Sequence, residues 1–192
     1  MKKKISIVVL ALVIITVVCA GFWYITKRAN RTGAESSKRT EVQLIVTKNL
    51  EKEYPPTPRQ VVSFYSRIIT AYYGENYTAE EFEIMVDKTL ALFDDELLAE
   101  NPRDTYVSNL NADISSYRSN SRVISNVEVS DSKDVLYKDD NDDELAFVDA
   151  SYFVKEGKNT FTKTYMQHVL RKDAEGNWKI LCFYKIDAPK KD

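Results

Sequence analysis

Apolar positions divide the chain into three regimes. Ile5 to Ile25 is a run of 21 residues without a charge, and only Ser6, Thr16 and Gly21 fall outside the apolar set. Between residues 58 and 119 apolar residues recur every three or four positions, the spacing of a helix with one buried face. From Arg122 onward the period drops to two, the period of a strand. The first regime predicts a bilayer-length rod, the second a set of helices and the third a sheet.

The helical starts are legible. Thr57 precedes Pro58, and Gln60 follows three positions after Thr57, which predicts a capping box and a helix to about Tyr73, stopped at Gly74. Thr78 and Glu81 predict a second box, opening a helix that carries Phe82, Met85, Val86, Leu90, Phe93 and Leu97. Asp94, Asp95 and Glu96 lie in its last third, against the helix dipole, so a bend or break is expected there. Asn101 is expected to cap a third helix with Pro102 as its first residue and Tyr106, Leu110, Ile114 and Tyr117 on its stripe. Strands are expected at about 122–130, 133–138, 145–155, 160–172 and 178–187, with loops at 138–144 and 156–159. The last two form a hairpin around Asp173–Asn177, which carries Gly176. In the final strand Trp178, Ile180, Cys182, Tyr184 and Ile186 alternate with Lys179, Leu181, Phe183 and Lys185. Both sets are apolar in the middle, which predicts a central strand covered on both faces. Helices followed by strands define an α+β domain, three helices packed on a curved antiparallel sheet over residues 51–192.

Composition adds placement. Residues 1–4 are a basic start, 5–26 the expected transmembrane helix, and 27–50 a polar tether ending in a short apolar segment. That segment, Glu41–Thr47, reads as an edge strand or a stretch laid across the domain. Phe22, Trp23 and Tyr24 resemble an interfacial aromatic belt closed by Lys27 and Arg28. A cleaved signal peptide is the competing reading, with Val18-Cys19-Ala20 at its cleavage site, but apolar character continues past Ala20. A lipoprotein signal fits less well, because Val18 stands where a small residue is wanted. Basic residues are nearly balanced on the two flanks of the span. The basic start directly before the apolar run argues for a cytoplasmic N-terminus and an extracytoplasmic domain. Eight basic residues and one acidic residue fall in residues 1–40, leaving 19 basic and 28 acidic in 41–192. The acidic part repels phosphate backbones, so nucleic-acid binding is not expected. The two cysteines, Cys19 and Cys182, lie in different regimes, and no internal disulfide is expected.

The order of elements, with Val169-Leu-Arg-Lys-Asp-Ala-Glu-Gly-Asn-Trp-Lys-Ile180, resembles the end of nuclear-transport-factor-2-like (cystatin-like) domains. More narrowly, Glu53-Tyr-Pro-Pro-Thr-Pro-Arg-Gln-Val-Val-Ser-Phe-Tyr65, Leu92-Phe-Asp-Asp-Glu-Leu-Leu98 and Asn101-Pro102 resemble an uncharacterised family of membrane-anchored bacterial proteins over about residues 48–187. The resemblance implies a helix lying in the concavity of a bent sheet and a Gram-positive bacterial setting. It implies no chemistry, because this fold hosts enzymes, carriers and scaffolds alike.

Candidate chemistry is sparse. His168 is the single histidine, a possible general base if an acid stands beside it. Asp149 lies within the apolar run Leu145–Val154, where a buried carboxylate would have a raised pKa, the setup that isomerases of this fold use. Asp139, Asn141 and Asp143 match the first three positions of a calcium loop, but Glu144 replaces the glycine and Ala150 the bidentate glutamate, so a solvated loop is expected. Tyr65, Tyr72, Tyr73, Tyr106, Tyr117, Tyr165 and Tyr184 stand either around a ligand pocket or in the core with hydroxyls reaching water. No phosphate loop, metal-ligand spacing or nucleophile motif occurs, and no cofactor is expected. The expectation is a membrane-anchored extracytoplasmic binding or assembly module without enzymatic activity. Its partners would be membrane lipid through residues 5–26 and either a second copy or another envelope protein. Two alternatives are an envelope scaffold of a secretion- or conjugation-type machine and a small-molecule isomerase or dehydratase using Asp149 and His168.

Overall fold

The computed structural model describes residues 39–140, 143–158 and 160–188. The expected span at 5–26 and Asn141 of the calcium-like loop lie outside the described residues. Among the described residues no helix is long and apolar enough to cross a membrane.

Five α-helices precede five strands among the described residues: α1 (Glu41–Thr47), α2 (Pro58–Gly74), α3 (Ala79–Leu90), α4 (Asp95–Glu100), α5 (Arg103–Ser119), β1 (Arg122–Val129), β2 (Leu136–Asp140), β3 (Asp143–Glu156), β4 (Thr160–Lys172) and β5 (Trp178–Ile186). The architecture is α+β with a curved, wholly antiparallel sheet. β3 and β4 are central, β5 flanks β4, and β1 and β2 follow one another along the far side of β3. The helices cover one face. Ala146, Val148, Ala150, Tyr152, His168 and Leu170 point toward them and are buried, and Val61, Phe64, Tyr65, Ile68 and Tyr72 of α2 fill the space between. Each such aliphatic or aromatic side chain contributes about 2 kcal/mol through area removed from water.

The caps follow the sequence in part. At α3 both halves of the capping box form: Thr78 Oγ1 accepts from Glu81 N at 3.1 Å, and Glu81 Oε2 accepts from Thr78 N at 2.8 Å. At α2 Thr57 accepts from Gln60 N at 3.3 Å. Asn101 does not cap α5. Its side chain donates to the Leu97 carbonyl at 3.0 Å, closing α4, and Pro102 takes the N-cap position without a side-chain bond.

Three expectations are corrected. Glu41–Thr47 is a helix, not a strand, and belongs to the folded unit that starts at Glu41. Val42 and Ile45 fall on one helical face and are buried where α1 packs on α2 and α3. The expected second helix is broken in two, as the acidic triplet leads one to expect, but its first part, α3, ends at Leu90, before Phe93 and Leu97. Phe93 forms a parallel bridge with Ile180, and Asp94 caps α4 by accepting from Glu96 N at 3.0 Å. The acidic triplet is therefore the first turn of a new helix, where the dipole favours it.

The last strand, expected to be central, is at the sheet's edge. Its register slips where Val169 faces Cys182 and Leu170 faces Ile180, leaving Leu181 as an extra residue in a bulge. The bulge reverses the alternation. Trp178, Ile180 and Phe183 share the helix-facing side, whereas Cys182, Tyr184 and Ile186 lie on the other. The hairpin before it closes as expected: Gly176 has φ +84°, its N–H donates to the Asp173 carbonyl at 3.0 Å, and Asp173 Oδ1 accepts from Asn177 N at 2.7 Å.

Candidate functional site

The helix period of α2 sets Tyr65, Ile69 and Tyr73 on one stripe, four residues apart. That stripe faces the concave side of the sheet. Tyr117 of α5 adds a ring 4.6 Å from that of Tyr73. Opposite stand Ile124 of β1, Tyr152 and Val154 of β3, Thr164, Met166 and His168 of β4, and Phe183 of β5. Together they enclose an open cleft of ≈ 230 Å³.

One end of the cleft is a three-ring cluster. Tyr65 meets His168 edge-on at 5.7 Å and Phe183 at 5.9 Å, and His168 and Phe183 are also 5.9 Å apart. A polar chain runs behind it: Tyr152 hydroxyl to His168 Nε2 at 3.3 Å, and Ser66 Oγ to the same hydroxyl at 3.3 Å. His168 Nδ1 is buried and has no hydrogen-bond partner. Burial pushes the His168 pKa down to about 4, and the backbone of Val148 across the ladder offsets only part of that. At neutral pH the imidazole is uncharged. Burial likewise raises Tyr152 to about 12 and holds Tyr65 well above the usual phenol value. Burial, then a hydrogen bond to Asp113, also raises Tyr73. The walls of the cleft therefore carry no charge at neutral pH.

The tyrosines divide. Tyr65, Tyr73 and Tyr117 line the cleft. Tyr72 is fully buried, and its hydroxyl pairs with Thr89 Oγ1 at 3.2 Å. Tyr106 packs edge-on against Phe93 at 5.8 Å. Tyr165 and Tyr184 project from the opposite, convex face of the sheet. Sequence reasoning missed Tyr152, Thr164, Met166 and Phe183 as lining residues. Period two would have put Thr164 and Met166 on the His168 face, Tyr152 joins them through the β3–β4 register, and Phe183 is brought there by the bulge.

Asp149 and His168 are not a catalytic pair. Asp149 faces Gln167 across the β3–β4 ladder, one position from the Val148–His168 pair, so its side chain is on the convex face. It is exposed and accepts from Gln167 Nε2 at 2.9 Å. The isomerase reading that rests on this pair is removed. Among the described residues no group of acidic, histidine or cysteine side chains is placed to hold a metal ion. At least four grooves are larger than the concave cleft, and two of them, ≈ 360 and ≈ 400 Å³, flank the α2 ridge of Arg59, Ser63 and Arg67. Arg67 is paired with Glu41 at 2.5 Å, and Arg59 Nε donates to the Ser130 carbonyl at 2.8 Å. These groups already have protein partners. The concave cleft, by contrast, has apolar and aromatic walls without a charged lining residue.

A helix-covered antiparallel sheet with an uncharged aromatic cleft in its concavity defines an α+β protein. The chain belongs to the family described as Domain of unknown function (DUF6715), whose model matches residues 1–183. No curated protein matches it.

Proposed function

We propose that this chain is a non-enzymatic binding module with a nuclear-transport-factor-2-like domain, tethered by residues 5–26 to the cell membrane and held on its outer side. The observation that carries the binding reading is the concave cleft, with aromatic walls, a neutral His168 and no charged wall residue at neutral pH. Its ≈ 230 Å³ lies below the range of pockets that take drug-sized ligands. It fits one ring or one branched aliphatic group. The uninterrupted run from Ile5 to Ile25 supports the tether.

Saturation with toluene, a single apolar ring, tests the cleft. Binding to the folded state raises the unfolding midpoint in proportion to RT ln(1 + [L]/Kd). The wild type is expected to gain stability. Met166→Trp, which fills the cleft, is expected to gain none. An equal gain in both proteins would place the ligand elsewhere.

A further inference from the structure

The occupant of the cleft can be narrowed, on the binding reading above, from the edge of the sheet beside it. Ile180 N donates to the Leu92 carbonyl at 2.8 Å, and Asp94 N donates to the Ile180 carbonyl at 2.9 Å. The backbone groups of Ile180 therefore point away from β4, and the Phe93 segment closes this half of the edge. In an antiparallel strand a residue's side-chain face and the direction of its N–H and C=O alternate together. The bulge at Leu181 reverses both. Phe183 and Lys185 thus share the concave face with Ile180, and they also present their N–H and C=O outward.

Nothing among the described residues pairs with those outward groups. The far side of the sheet is better guarded. There the β1 register shifts at Ser125, and residues 130–135 interrupt the edge between β1 and β2. The open half of β5 also carries exposed rings on both faces, Phe183 at 39% and Tyr184 at 45%. Phe183 is both the β5 wall of the aromatic cleft and the first open position of the edge. Lys185, two residues on, has no ion-pair partner among the described residues.

We infer that the open half of β5 takes an extended peptide strand. It pairs antiparallel with Phe183 and Lys185, places an apolar side chain beside Phe183 at the cleft and sets an acidic residue opposite Lys185. Backbone pairing supplies affinity, and the alternate side chains supply selectivity. An acidic residue two positions before the apolar one meets Lys185 as a cross-strand pair of opposite charge. The small cleft volume suits one side chain of such a strand.

The test uses the full chain in detergent and a fluorescein-labelled peptide, Thr-Glu-Val-Phe-Val-Thr, read by anisotropy. Saturable binding is expected. Lys185→Pro removes one outward N–H at an edge position that tolerates proline, so it is expected to weaken binding at least tenfold with an unchanged unfolding midpoint. Lys185→Glu is expected to reverse the preference toward the same peptide with lysine in place of glutamate. Unaltered binding by both variants, or no binding up to about 1 mM peptide, would overturn the inference. So would a dimer that Lys185→Pro dissolves, since the edge would then belong to a second copy. Met166→Trp separates the two readings. If it weakens the peptide and Lys185→Pro does not, the cleft reading stands and strand addition falls. If only the Lys185 variants act, strand addition stands and insertion into the cleft falls.

Discussion

His168 shows how much one position depends on its neighbours. As a lone histidine in an alternating strand it has no assigned role. Here it is buried beneath Tyr65 and Phe183 and kept neutral, with its pKa near 4 against 6.5 in the unfolded chain. The folded state therefore binds fewer protons than the unfolded state between those values. Its contribution to stability is complete above pH 6.5 and is lost as pH falls through 6.5 toward 4. The loss attributable to this residue is about 2 kcal/mol by pH 5. His168→Gln, which does not titrate, is expected to show a shallower fall in urea midpoint between pH 7 and pH 5 than the wild type. Equal slopes would mean that the imidazole is not buried as described. Tyr65 and Ile69 were legible on the apolar stripe of the first long helix, but Tyr72 rather than Tyr73 was read with them, and it is Tyr73 that reaches the cleft. The face of Phe183 was not legible, because it depends on a two-against-one pairing at Val169 that no local pattern records.

Elements were legible where local chemistry acts alone. Thr78 with Glu81 located α3 and Gly176 located the last hairpin, both through side chains or dihedrals within a few residues. Glu41–Thr47 was misread because its β-branched residues favour strands in isolation, whereas Val42 and Ile45 are buried here on one helical face. The break before α4 was expected, and the Asp94 carboxylate at its start is held from 77 residues away in sequence. Arg171 on β4 grips Asp94, with Nε to Oδ2 at 3.1 Å and a terminal nitrogen to Oδ1 at 2.6 Å. The same guanidinium reaches Glu96 at 2.9 Å and Asp143 at 3.3 Å, and these hydrogen bonds, chiefly to Asp94, raise its pKa. Arg171→Met strands the buried Asp94 carboxylate and is expected to cost about 3 kcal/mol in denaturant unfolding. Adding Asp94→Asn, which removes the stranded charge, is expected to recover part of that. If the double variant is no more stable than the single, Asp94 is not held by this pair.

For the whole molecule, the α+β class and the strand count could be read from the switch of period at Arg122. The edge position of β5 and the convex placement of Asp149 could not, since strand order is set by long-range pairing. The proposed placement outside the membrane is checked through Cys182, which is exposed. In a Cys19→Ser background a membrane-impermeant maleimide is expected to label Cys182 on intact cells. The reaction should be slow at neutral pH because burial, then Glu100, raises the thiol pKa. Labelling only after lysis would place the domain in the cytoplasm. The binding reading is tested most directly by the methyl signals of methyl-labelled methionine, of which the chain has three: Met1, Met85 and Met166. Met85 is fully buried in the core and serves as an internal control, while Met166 lines the cleft. Titration with toluene is predicted to move the Met166 signal in a saturable way and leave Met85 in place. A stationary Met166, or a shift at Met85 alone, would contradict a concave cleft that accepts an apolar group.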